Sequence, residues 1–364
     1  AGWLDAIGES QNIAPILAHA TYDEFWHPVD LTNRGYEAVG VPGLHIGGWY
    51  DIFAQGTIDS FVGIEEMGGP GARGTQKLVI GPWTHAVFQQ EQGDLTFPEN
   101  ATNWTDGDGY GDWFRHYLLG EENGAERAPA VTYYVMGDVD DPEAPGLEWR
   151  STDRWPVASE PVPFYLHRNG SLSETPPEAG FSSTTYVYNP ANPVPTLGGN
   201  NLLISAGPVD QRPVEDRSDV LLFTTGVFSE PIEITGRVSA VLYVSSSAVD
   251  TDFTVKLTDV YPDGRSILLL DGILRMRYRE GFDREVFMEP GTIYEITVDL
   301  WSTSIVVNRG HRLRVAVSSS NAPRFDVNPN TGEPIGEATT MVVATQTLYH
   351  DARHPSRLIL PVVE

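Results

Sequence analysis

The 364 residues contain no cysteine, which excludes disulfides, a thiol nucleophile and thiolate metal sites. Lysine is almost missing as well, present only as Lys77 and Lys256. Basic residues number 23 against 50 acidic ones, a formal net charge of −27. A surface of that sign repels nucleic acid and anionic membranes, so neither is expected as a partner, and the charge reads as a solubilising acidic coat. No stretch reaches the roughly 18 successive apolar residues that a membrane-spanning helix needs. The opening "AGWLDAIGES" has neither the basic nor the apolar region of a signal peptide. It begins on Ala1 rather than methionine, which fits a chain that once had sequence in front of it; the compartment stays open. Also missing is the G-x-S-x-G turn that presents a nucleophilic serine. In "GESQN" at 8–12 no glycine follows Ser10, and Ser60 falls in the middle of an expected helix.

What is there suffices for a large core: hydrophobic residues make up 40%, with 14 Phe, 15 Tyr and 9 Trp. The length suits two domains rather than one. Residues 1–40 read as helical with loops. "VPGLHIGG" at 41–48 is a short apolar run bounded by Pro and Gly and reads as a buried strand. An amphipathic helix is expected over 52–68, with Ile58, Phe61, Val62, Ile64 and Met67 on one side and Gly68 as its stop. "QKLVIG" at 76–81 is a second buried strand, which completes a strand–helix–strand crossover. A short helix over 113–120 follows a Gly/Asp-rich loop. From about residue 129 the texture becomes all-β: runs rich in Val, Thr, Tyr and Phe alternate with Pro/Gly/Asn turns, and "YPDGR" at 261–265 reads as a hairpin turn. The expectation is α/β followed by a β-sandwich or jelly roll. Two parallel strands are too few for the sheet they imply, because such strands are normally covered on both faces and flanked by neighbours.

Asp51 and His85 each follow one of the two buried strands. Functional loops gather at the carboxyl ends of parallel strands. A carboxylate and an imidazole delivered there can hydrogen-bond, which fixes the histidine tautomer and stabilises the imidazolium as it forms. The order acid before base is that of α/β-hydrolases. The alternative is structural: Asp51 as the cap of the helix that follows it.

The segments "GLHIGGWYDIF", "LVIGPWTH", "DWFRHYLLG", "DTDFTVKLTDVYPDGRSILLLDGILRMRYR" and "YDEFW" occur in this order except for the last, which precedes the others. Together they resemble the cocaine esterase / X-prolyl dipeptidyl-peptidase family of serine hydrolases, over nearly the whole chain. The resemblance implies a cap remnant at 1–40, the C-terminal part of an α/β-hydrolase domain at 41–128 and a galactose-binding-like jelly roll at 129–364. It also implies a Ser–His–Asp triad with Asp51 as acid and His85 as base. Trp49, Tyr50 and Trp83 fall at family positions beside them, where they pack around the site or touch substrate. The nucleophile and the oxyanion donors of the family lie upstream, so this chain alone is expected to be inactive, with the serine on a missing N-terminal hydrolase segment as partner. The substrate is expected to be a small ester or amide, with carboxylesterase, X-Pro dipeptidyl-peptidase and β-lactam acylase activities all within the family. No cofactor and no metal is expected.

Rival readings come from other classes. The chain reads alternatively as a non-catalytic β-sandwich binding module or an inactive fragment, with Trp149, Trp155 and Trp301 as a sugar platform or, more simply, as core. His45, Asp51 and His85 form a candidate metal set, although no close His pair supports it. Asp106, Asp108 and Asp112 alternate as in a calcium loop, but Tyr117 stands where the bidentate Glu would be. The remaining histidines (His19, His27, His116, His167, His311, His350 and His354) read as structural or surface residues.

Overall fold

The structure is a computed structural model that describes residues 10–105 and 107–363, with the side chains of residues 10–12 also outside the description. Ser10 opens helix α1 (Ser10–Ala18). A single turn (Leu31–Arg34), capped by the Asp30 carboxylate on the Thr32 N–H, and short 3-10 turns complete the helical start.

Strands β1 (Leu44–Gly48) and β2 (Lys77–Gly81) pair in parallel, from Leu44 opposite Lys77 to Gly48 opposite Gly81. Helix α2 (Ala54–Met67) crosses between them and buries Ala54, Ile58, Phe61 and Ile64. Its stop is Gly68, whose N–H bonds Ile64 O. Helix α3 (Tyr110–Leu119) ends on Gly120 in the left-handed conformation, φ 73°, where glycine lacks the Cβ that makes that conformation unfavourable.

One strand differs from the sequence reading. Val131–Val135 (β3), taken as the start of the sandwich, pairs in parallel with β2, Leu78 opposite Val131, and then antiparallel with β4 (Glu148–Thr152). The sheet therefore has four strands in the order β1-β2-β3-β4, with β1 at one edge. "VTYYV" suits a sandwich strand equally well; only its place inside a parallel sheet, with burial on both faces, separates the two assignments.

Besides a two-stranded ribbon (Glu91–Gln92 with Leu95–Thr96), the rest is two larger antiparallel sheets. One carries β7 (Leu221–Thr224), β12 (Arg312–Ser318), β9 (Asp252–Val260) and β10 (Ser266–Arg275), in that order. The β9–β10 hairpin turns at 261–265 as the sequence predicts, closed by Tyr261 N–H to Arg265 O at 2.9 Å. The other sheet is built on the long strand β8 (Ile232–Ser246). It pairs with β11 (Tyr294–Val307) on one side, and on the other with β13 (Ala344–Asp351) and β14 (Arg357–Val363). β5 (Glu160–Leu166) and β6 (Ser183–Tyr188) extend it.

One continuous apolar core joins all three sheets, running from Phe61 and Ile80 through Tyr133 and Leu300 to Leu257 and Val315. The junction is also tied by polar groups. Met136, just past β3, exchanges backbone bonds with Ser304 and Val306 of β11. Beside it, His311 is buried between two carboxylates, Nδ1 at 2.9 Å from Asp259 and Nε2 at 3.2 Å from Asp138.

Candidate active site

Past their last paired residues, the segments after β1 and β2 stay hydrogen-bonded to each other. Trp49 N–H bonds Gly81 O and Tyr50 N–H bonds Trp83 O, both at 2.9 Å. This brings the two following loops side by side. The approach is so close that a Cβ on Gly48 would lie 2.0 Å from the Trp83 carbonyl oxygen, so only glycine fits there.

The consequence is the pairing of Asp51 with His85. The His85 Nδ1 lies 3.1 Å from each Asp51 carboxylate oxygen. Asp51 is buried, whereas the His85 side chain is 47% exposed. Asp51 also takes the Phe53 N–H at 2.8 Å, so its carboxylate is oriented from two sides. Asp51 is not the cap of α2, whose capping position is Phe53 with no side-chain cap bond; its carboxylate holds the Phe53 N–H just before the helix and faces the imidazole.

The loops are fixed by side chains that local sequence does not mark. Buried Gln92 accepts from the Thr84 N–H at 2.8 Å and its hydroxyl at 2.9 Å, and donates to Gln89 O. That holds the residue before His85. Gln55 in the first turn of α2 accepts from Ser302 of β11 at 2.9 Å. Asn200 donates to Trp49 O at 3.0 Å and to Asp51 O at 2.8 Å. Phe53, 56% exposed, meets the His85 ring edge to face at 5.4 Å.

Trp49, Tyr50 and Trp83 are all buried. Their polar atoms go to backbone carbonyls: Trp49 Nε1 to Tyr134 O at 2.8 Å, Tyr50 OH to Leu268 O at 3.2 Å, and Trp83 Nε1 to Ala101 O at 2.8 Å. They are packed residues adjoining the Asp51–His85 pair, with no polar atom left over. Burial pushes the Tyr50 phenol far above its ordinary range, with the charge of Asp259 adding to it, so it stays neutral.

The other candidates fall elsewhere. His45 does not join Asp51 and His85; its Nε2 faces Gln76 Oε1 at 3.0 Å, and burial lowers its pKa against the opposing effect of that bond. Among the described residues no group of three or more His, Asp or Glu is arranged to hold a metal ion. Asp106 lies outside the described residues, while Asp108 and Asp112 are both paired with Arg115. Ser60 is inside α2. Trp155 is buried against Trp49 and Tyr133, and Trp149 is partly buried against Trp83 and Tyr134, packed on the core of the first sheet. Trp301 lies on β11 beside Arg324. These three do not share one face as a platform would require. No helix among the described residues is long and apolar enough to cross a membrane.

Residues 123–359 match the X-Pro dipeptidyl-peptidase C-terminal non-catalytic domain, and residues 5–87 match the X-Pro dipeptidyl-peptidase (S15 family). A cocaine esterase of Rhodococcus sp. (strain MB1 Bresler) is 39% identical over 97% of this chain and 61% of its own length. An aminopeptidase from a marine sediment Thaumarchaeota archaeon superposes with a TM-score of 0.86 at 27% identity, over 99% of this chain and 61% of that one. An α-amino acid ester hydrolase gives 0.83 at 28% identity, over 99% and 62%. The chain thus spans about three fifths of the length of these relatives. It belongs to the cocaine esterase / X-prolyl dipeptidyl-peptidase family of hydrolases.

Proposed function

We propose that the chain is the acid–base part of a serine hydrolase that cleaves carboxylic esters. The observation that carries this reading is the Asp51–His85 pair, with the acid buried and the base exposed. With its proton on Nδ1 and donated to Asp51, the imidazole presents Nε2 as a base. A serine on sequence upstream of this chain gives its proton to Nε2 as its oxygen attacks the substrate carbonyl. His85 then returns the proton to the leaving alkoxide, and water repeats the cycle on the acyl-enzyme. Asp51 keeps the ring in that tautomer and stabilises the imidazolium. The chemistry needs neither a cofactor nor a metal.

In this reading the four-stranded sheet is the end of an α/β-hydrolase sheet, and the upstream segment adds strands along the outer edge of β1. The two antiparallel sheets form a jelly roll, and residues 10–40 are the remnant of a cap. Ester cleavage is favoured over dipeptide release by the surroundings of His85. The exposed Phe53 ring beside His85 makes its surroundings apolar.

The test uses the full-length protein with its upstream segment. It should turn over a p-nitrophenyl ester faster than an X-Pro p-nitroanilide at equal concentration. The reverse order would make it a dipeptidyl peptidase. No turnover of either by folded protein would favour the binding-module reading.

A further inference from the structure

The hydrolase reading leaves the sandwich with no chemical part, and the family description calls that domain non-catalytic. The geometry points to a different role: Asn200 of the sandwich is a positioning residue for the catalytic acid. This rests on the reading of Asp51 and His85 as acid and base.

Asn200 is 3% exposed and lies in the connection between β6 and β7. Its amide nitrogen carries two N–H groups, and both are used on the acid loop, one on Trp49 O at 3.0 Å and one on Asp51 O at 2.8 Å. A fork of this kind fixes two carbonyls that flank a single residue, Tyr50, and so sets the direction of the turn that carries the Asp51 side chain. Water cannot take over these bonds at a buried site without reorganising it. Tyr50 is fastened from the same side through its hydroxyl on Leu268 O.

The loop that delivers Asn200 is itself built for the purpose. Gly199 and Gly207 exchange backbone bonds at 2.8 and 2.9 Å and close it into a ring. Gly198 sits at φ 65°, where a Cβ would fall 2.4 Å from Gly207 O. Just past the ring, the same connection grips the segment after β2: Asp94 N–H bonds Pro208 O at 2.9 Å, and Asp210 N–H bonds the Asp94 carboxylate at 2.8 Å. One sandwich loop thus holds the segment after β1 and the segment after β2 at a fixed separation. That separation is what keeps both Asp51 oxygens at 3.1 Å from the His85 ring.

The experiment replaces Asn200 by leucine, which has nearly the same shape but no donors, in the full-length active protein. Asn200→Leu should lower kcat about 100-fold, as expected for a misplacement of the order of 1 Å. KM on a p-nitrophenyl ester should stay within about threefold, because substrate contacts are untouched. In an Asp51→Asn background the same change should cost less than about threefold further, because the two residues act through one path. Wild-type kcat in folded Asn200→Leu would overturn the proposal. So would a loss that simply multiplies with that of Asp51→Asn, since a general structural role would be additive. If Asn200→Leu does not fold, Asn200→Ser, a smaller change that keeps one donor, is judged by the same criteria. His85→Ala serves as the separate control: full activity there would sink the acid–base reading itself, whereas loss there with no effect at Asn200 sinks only the positioning role.

Discussion

His85→Ala in the full-length protein is expected to lower kcat by about 10⁴- to 10⁶-fold on an activated ester, with little change in KM. The magnitude follows from the single path the geometry offers for the proton. His85 is the imidazole that the buried Asp51 carboxylate addresses with both oxygens. Its side chain is 47% exposed, so it is able to reach an incoming serine. Without it the serine hydroxyl must attack unassisted and the leaving alkoxide must depart unprotonated. Residual rate then comes only from substrate binding and oxyanion stabilisation. Steady-state kinetics on purified, folded protein checks it; near-normal kcat would remove His85 from the mechanism.

The second large effect concerns stability. His311 is 1% exposed and has a carboxylate at each ring nitrogen, Asp259 at 2.9 Å and Asp138 at 3.2 Å. The imidazolium is the form that can face both carboxylates as a donor, although burial also raises the Asp259 pKa. Burial opposes that charge, but the hydrogen bonds and negative charges of Asp259 and Asp138 outweigh it and raise the His311 pKa. The surroundings are consistent. Tyr261 lies 4.4 Å from the ring, Arg265 is drawn off to Asp140 and Asp263, and Asn308 donates to Asp138 at 3.2 Å. Asp138 belongs to the connection after β3, whereas Asp259 and His311 belong to the sandwich, so the charge staples the junction behind the active site. His311→Ala leaves two buried carboxylates facing each other and should destabilise the fold by about 3 to 5 kcal/mol, measured by urea unfolding near pH 6. The pH dependence follows from linkage. A raised folded pKa gives stability that is fully present below the unfolded histidine pKa and is lost as pH rises through the folded value. The wild-type protein should therefore lose this contribution as pH rises past the ordinary histidine range, and His311→Ala should lose that part of the slope. An unfolding curve that does not change with the substitution would refute the staple.

The sequence carries Asp51 and His85 because each follows a short apolar strand bounded by glycine, and the chemistry at the ends of parallel strands is a local matter. Helix α2 is equally legible, since its apolar spacing and Gly68 are contained within a few turns. The limits are physical. β3 could not be separated from a sandwich strand, because a strand's composition records that it is buried and not which neighbour it pairs with. Asn200 carries no local mark of its role, because its two acceptors are about 150 positions away in sequence. His311 was one scattered histidine among several until the fold brought Asp138 and Asp259, 52 residues before it in the latter case, to its two nitrogens. Side chains that hold a site from another domain leave no local pattern.

The central claim is that this chain supplies the acid and the base while the nucleophile lies upstream of it. The most direct measurement is to label the active full-length protein with a fluorophosphonate and map the adduct by mass spectrometry, beside the His85→Ala variant. The prediction is one modified serine outside residues 1–364, with labelling strongly slowed by His85→Ala. An adduct on a serine within these residues, or labelling at an unchanged rate in His85→Ala, would contradict it.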